Sequence, residues 1–345
     1  MKRFISRPGA VGAAGPPDDQ PGVTARPDDG RAITAEPDIG TAGRINGRPS
    51  PGRPRWRARA VPFWFLIPAL ALYGFVVIWP SLQGAAFSLT DWDGLSPTKD
   101  FVGLANFREL WSDDVARGAV RQTIIIAIAV TIIQNGFGLL LALGVNTQIR
   151  SRNLLRVLLF APAVITPVIT AFLWRHLLAP TGAVNDVLGA VGLGALQRDW
   201  LGNPDLALWS VVAVIVWQFA GLSMVIFLAG LQSIPREIYE AAAIDGTGPI
   251  RRFWYVVRPM LAPAITINLV LSMIGGLKLF DQVWVMTGGG PGRATETLST
   301  LLYKEAFQFG AFGYSIALAI VLTAFVAVLA SVQYGFLRRQ EESAQ

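Results

Sequence analysis

Six stretches of this chain are each long and apolar enough to cross a lipid bilayer. The runs 62–82, 123–145, 157–174, 206–231, 261–280 and 312–334 lie close to the roughly 20 residues that bridge about 30 Å of hydrocarbon. Backbone N–H and C=O groups find no water in lipid, so each must be satisfied within its own helix. The expected fold class is therefore all-α, a polytopic bundle of six transmembrane helices. An even number of spans puts both termini on the same side.

The rest of the composition narrows the class further. Charged residues make up only 15% of the chain, against about a quarter in soluble domains. The net charge of +6 could suggest nucleic acid, but residues 1–60 hold 11 Lys/Arg against 6 Asp/Glu. The remainder is nearly neutral, so no basic groove and no nucleic-acid partner are expected. With no cysteine and a single histidine, His176, neither a disulfide framework nor a metal site is expected.

Residues 1–60 contain nine Gly and nine Pro among scattered Arg and Asp. This mixture buries too little apolar surface to offset the entropy of ordering, so the segment reads as a disordered tail. No apolar stretch of signal-peptide type follows Met1-Lys2-Arg3, and the first span reads as an uncleaved anchor. Three segments result: a cytoplasmic tail at 1–60, a membrane domain at 61–338 and a short cytoplasmic tail at 339–345. Outside the long tail the basic residues divide evenly between the two sides. The cluster Arg48, Arg53, Arg55, Arg57 and Arg59 just before the first span is what places both ends in the cytoplasm.

Within the spans, Pro162 and Pro167 fall in the third, and Pro263 with Gly275-Gly276 in the fifth. All of these interrupt or loosen a helical ladder, as transporters do where they bind or bend, although Pro and Gly are also ordinary in membrane helices. Gln134, Asn135, Gln218 and Asn268 bring amides into the spans, and Trp217 offers a stacking face. Asn135, Trp217, Gln218 and Asn268 are thus candidates for a substrate path, with plain interhelical hydrogen bonding as the alternative.

Between the fourth and fifth spans lies a segment with its own punctuation. Ser233 is suited to cap a short helix, Pro235 to its first turn, and Gly246 to the left-handed residue that ends it. Residues 250–257 mix Arg251 and Arg252 with Phe253, Trp254 and Tyr255, as suits a helix lying at a membrane surface. Ala241, Ala242 and Ala243 allow another surface to approach closely, and Glu240 adds a negative charge. A generic amphipathic connector has the same features.

The pattern Glu240-Ala241-Ala242, Gly246 three residues beyond Ala243, and Val256 with Pro259 closely resembles the EAA motif of ATP-binding-cassette importer permeases. Further likeness to the carbohydrate type, similar to the maltose and glycerol-phosphate systems, comes from Phe101-Val102-Gly103-Leu104-Ala105-Asn106-Phe107 and from Tyr239 to Trp254. Phe280-Asp281, Thr287-Gly288-Gly289-Gly290-Pro291 and Thr295-Glu296-Thr297 add to it. The likeness covers about residues 60–338. Arg258 stands where the family pattern has leucine, and the large external insertion of the maltose subunit is absent.

This resemblance implies a non-catalytic permease subunit of the cell membrane, moving a sugar or sugar-like solute through half of a translocation pathway. Glu240, Ala241, Ala242, Ala243, Asp245, Gly246 and Pro259 would form the coupling segment that meets a separate ATPase dimer. That dimer would bind the ATP and Mg, leaving no cofactor on this chain. A second permease subunit, an extracytoplasmic solute-binding protein and membrane lipid are the other implied partners.

Two motifs point elsewhere. Gly288 to Gly292 resembles a phosphate-cradling loop, but a P-loop needs Gly-Lys-Ser/Thr where this chain reads Gly292-Arg293-Ala294-Thr295. A tight turn is expected instead. Asp91-Trp92-Asp93 could hold the metal of a membrane glycosyltransferase, though the pair falls on the presumed external side. Lys278 and Asp281 lie near an outer helix end, where snorkelling or an ion pair is expected in place of a proton relay.

Overall fold

The computed structural model describes residues 63–147 and 150–344. The tail expected at 1–60, with its membrane-proximal arginines, lies outside the described residues. Among those described, regular structure is helical throughout, and extended backbone pairs only at the isolated bridge Thr90–Phe101. The helices are α1 (Trp64–Phe87), α2 (Ala105–Ser112), α3 (Asp114–Val145), α4 (Arg152–Val164), α5 (Pro167–Leu177), α6 (Ala183–Ala190) and α7 (Pro204–Gln232). There follow α8 (Arg236–Ile244), α9 (Pro249–Met260), α10 (Ala262–Leu277), α11 (Asp281–Met286), α12 (Leu298–Phe307) and α13 (Phe312–Ala344). Four of them, α1, α3, α7 and α13, are long and apolar enough to span a membrane singly. The pairs α4–α5 and α9–α10 raise the number to six if each is one bent span. Helix α13 continues to Ala344, and Leu337 is the last residue of its apolar sequence before Arg338 and Arg339.

Local sequence explains where these helices start. Asp113 accepts hydrogen bonds from the Val115 and Ala116 amides at the head of α3, and Asn203 accepts from Asp205 at the head of α7, with Pro204 in its first turn. Asn106 donates to the carbonyls of Ser88 at 2.8 Å and Thr90 at 2.9 Å, tying α2 to the end of α1.

Proline fixes the bends. Pro167 pushes its predecessor out of the helical region, and Ile165 and Thr166 are both extended, with ψ of 137° and 144°. The third span therefore turns by 96°. In the fifth the break falls at Leu261, between Pro259 and Pro263, and the turn is 73°. Two wider π turns, Gly74–Ile78 and Phe253–Val257, each end two residues before a proline, Pro80 and Pro259. The amides of Trp79 and Arg258 reach five residues back, to Gly74 and Phe253. This widening relieves the clash of each proline ring with the preceding turn.

Gly275-Gly276 does not loosen the fifth span as expected, since α10 runs unbroken through both. A Cβ at Gly276 would lie 2.7 Å from Ala127 Cα, so the absence of a side chain here lets α10 approach α3 closely. The central packing joins α3, α7 and α10. Phe227, Met224 and Leu261, each at most 2% exposed, sit where α7 meets the second bend. In contrast, no residue of α1 is buried. It meets the rest of the chain near its C-terminal end, where Gly84 lies against Ile316.

Candidate functional site

Two features stand out: a mostly apolar cleft along α7 and α10 that carries a few amides, hydroxyls and charges, and the α8 segment at the end of the bundle to which α7 leads. The cleft measures about 390 Å³ and runs from Gln134, Ser223, Asn268 and Ser272 in mid-span to Lys278 and Asp281 at the far end of α10. Phe219 and Phe280 add aromatic walls. Gln134 donates to Ser223 Oγ at 2.9 Å, and Asn268 donates to the Ser223 carbonyl at 3.1 Å. Asn135 donates to Ser272 Oγ at 2.7 Å, which in turn donates to the Asn268 carbonyl. These bonds cross between α3, α7 and α10, so the amides both hold the spans together and leave polar edges on the cleft.

The expected path residues separate. Asn268 lines the cleft, and Asn135 lies behind it as an interhelical bridge. Gln218, fully buried, donates to the Ile165 carbonyl at 2.8 Å and accepts from Gln282 at 3.1 Å. It satisfies the backbone that Pro167 breaks open. Trp217 lies on another face of α7, outside this cleft, packing edge-on against Trp174 at 5.3 Å. Lys278 and Asp281 form no ion pair with each other, and both line the cleft mouth. Gln134, Ser223, Ser272 and Gln282 complete its polar lining. Serine and glutamine in apolar runs are the only sequence signal for them, and that signal does not tell lining from bridging.

Helix α8 ends as its sequence suggests. Gly246 has φ of 70°, and the amides of Asp245, Gly246 and Thr247 bond back to Ala241, Ala243 and Ala242. Its start is different from expectation. Ser233 donates to the Gly230 carbonyl and so closes α7, while Pro235 takes the capping position of α8 without a side-chain bond. Tyr239 packs against the cluster around Leu231 and Val257, and Ala242 is buried on the same helix. Glu240, Ala241, Ala243, Asp245 and Gly246 remain on the exposed side, with Ile244 86% exposed. Ala242 is buried, and Pro259 is half-buried just after the π turn of α9. Arg258 lays its guanidinium over the Trp254 ring, 5.4 Å from the centroid. Trp254 and Tyr255 are exposed, as suits a surface helix.

The two motifs that point elsewhere are engaged in local hydrogen bonds. Asp93 accepts from the Ser96 hydroxyl at 2.6 Å and from the amides of Ser96 and Leu95, which hold its carboxyl down at about 2. Asp91 accepts from the Asp100 amide at 3.0 Å. Both carboxylates close their own loop. The glycine loop folds into a turn stitched by Thr287, whose hydroxyl meets that of Thr295 at 2.7 Å, and Glu296 is buried against Lys304 and Thr300. Among the described residues no group of His, Cys, Asp or Glu is placed to hold a metal.

Residues 134–342 match the family described as binding-protein-dependent transport system inner membrane component. The chain is 32% identical over 277 residues to the multiple sugar-binding transport system permease protein MsmF of Streptococcus mutans, covering 80% of this chain and 95% of that protein. It is 34% identical over 281 residues to the lactose transport system permease protein LacF of Rhizobium radiobacter, covering 80% and 94%. In fold it is similar to a chain of a bacterial ABC transporter for import of the polysaccharide alginate, with a TM-score of 0.70 at 21% identity, over 80% of this chain and 94% of that one.

Proposed function

The chain belongs to the family of binding-protein-dependent transport system inner membrane components, and from that premise we propose that it carries a sugar or sugar-like solute across the cell membrane. It is a permease subunit of an ATP-binding-cassette importer. The reading of the solute draws on MsmF and LacF, whose names give sugars, and on the cleft. Hydroxyl-rich solutes suit a wall of amides and hydroxyls at Gln134, Ser223, Asn268 and Ser272 beside the Phe219 and Phe280 rings.

The coupling role rests on α8. A helix held to the bundle by Tyr239 while it presents Glu240, Ala241, Ala243 and Ile244 outward is shaped to enter a recess on another protein. We assign that recess to a cytosolic ATPase dimer, which holds ATP and Mg, so both termini lie in the cytoplasm. The unburied α1 and the open side of the cleft, where Leu222 and Leu271 are exposed, suit a second permease subunit. A solute-binding protein outside the membrane delivers the ligand. The domain limits 61–338 follow the same reading, with 1–60 and 339–345 outside the bilayer.

The direct test is uptake of labelled oligosaccharides by proteoliposomes holding the whole assembly and its cognate binding protein. ATP-dependent uptake of a sugar is expected. Selective transport of an amino acid or a metal ion would overturn the sugar reading, and concentrative uptake by this chain alone would overturn the subunit reading.

A further inference from the structure

Trp217, turned away from the cleft, helps to line a second and larger feature. Between α4 and the outer face of α7 runs a groove of about 900 Å³, walled by Val157, Phe160, Pro162, Trp217 and Val225. Its one charged lining residue is Arg156. The Nε of Arg156 is buried without a hydrogen-bond partner, and the side chain makes no ion pair among the described residues. Arg152 lies one turn earlier on the same helix, and the sequence holds no Asp or Glu between Asp114 and Asp186. The helix thus brings positive charge to the head of an apolar furrow, with no acid in ion-pair contact with it among the described residues.

Position and size point to an occupant. Leu155, beside Arg156, packs in the cluster that includes Leu231, Ile234 and Tyr239, so the arginine end of the groove lies at the level of α8. From Val225 to Trp217 is about 12 Å along a helix, close to the depth of one leaflet, about half of the ~30 Å hydrocarbon core. We propose that this groove binds an anionic phospholipid of the leaflet on the α8 side, its phosphate on Arg156 and Arg152 and one acyl chain along the furrow to Trp217. A guanidinium above an apolar channel matches a phosphodiester above an acyl chain in both charge and order. An apolar helix of another subunit in the same groove would leave Arg156 buried and unneutralised. The site is independent of the nature of the transported solute and requires only that the chain spans a membrane.

The test uses the full assembly in nanodiscs containing phosphatidylglycerol with a diazirine at mid-chain, with labelled sites mapped by peptide mass spectrometry. A phosphatidylcholine probe of the same chain runs in parallel. Phosphatidylglycerol is expected to label α4 and the Trp217 region about fivefold more strongly than phosphatidylcholine. Arg156→Gln should erase that preference and Arg156→Lys should keep it, while the yield of assembled complex in nanodiscs stays constant as a control for insertion. Equal labelling by both probes would mean ordinary boundary lipid and overturn the proposal. So would an unchanged preference in Arg156→Gln, or no labelling of the groove in the assembly, which would mean that a protein partner fills it.

Discussion

The side-chain amide of Gln218 donates to the main-chain carbonyl of Ile165 at 2.8 Å, joining the middle of one span to the break in another. Pro167 creates the need for this bond by forcing Ile165 and Thr166 out of the helix, which strips the carbonyl of its intrahelical partner. In a bilayer such a carbonyl has no water to turn to. Gln282 extends the link by donating to Gln218 Oε1 at 3.1 Å, so the bend is tied to the wall of the cleft.

Replacing Gln218 by leucine should leave the Ile165 carbonyl buried and unsatisfied, at a cost of about 1–3 kcal/mol. Thermal unfolding of the purified chain should register this loss. Gln282→Leu should cost less, because Gln218 keeps its bond to Ile165. Equal effects of the two changes would show that the bend is not what Gln218 supports.

At the cleft, Asp281→Asn and Lys278→Met should each lower uptake with little change in stability, because neither side chain forms an ion pair among the described residues. Asn268→Leu should lower both, since Asn268 also holds the Ser223 carbonyl. Comparing initial uptake rates with melting temperatures of the same variants separates the two behaviours. A loss of stability in Asp281→Asn as large as in Asn268→Leu would contradict the division between lining and bridging residues.

Glu305 in α12 is half-buried, and burial raises its pKa, with further upward pushes from Asp113 and Glu109. The folded state therefore holds this proton more tightly than the unfolded one, and ionisation at neutral pH works against folding. Glu305→Gln should raise the melting temperature at neutral pH. The gain should shrink as pH falls through the raised pKa and vanish below the ordinary carboxylate range. A gain that persists unchanged in acid would mean that charge is not its cause.

Much of this architecture is legible in the sequence because lipid allows so few solutions. Twenty apolar residues become a helix whatever surrounds them, and the left-handed end of α8 follows from Gly246. What the sequence conceals has physical reasons. Helix α7 is apolar on every side, so no stripe reveals that Trp217 and Gln218, adjacent in sequence, face different neighbours. Ser233 stands between two helices and suits the end of one as well as the start of the next. Pro259 and Pro263 bracket the bend at Leu261, yet two prolines four residues apart leave open which turn gives way. The amides proposed for the substrate path were legible as buried polar groups, but whether each bridges or lines depends on helix rotation, which only tertiary packing sets.

The docking of α8 on an ATPase is the central claim, and co-purification of the ATPase with this chain tests it most directly. Glu240→Lys should reverse a favourable charge contact and weaken retention of the ATPase by about tenfold or more, and a compensating acidic substitution on the ATPase should restore it. Gly246→Val should also lose the ATPase, because a β-branched residue tolerates the 70° φ poorly, but no compensating charge should rescue it. Both variants should still insert and pair with the second permease. ATPase retention and stimulation undiminished in both variants would contradict the account and leave α8 an ordinary connector.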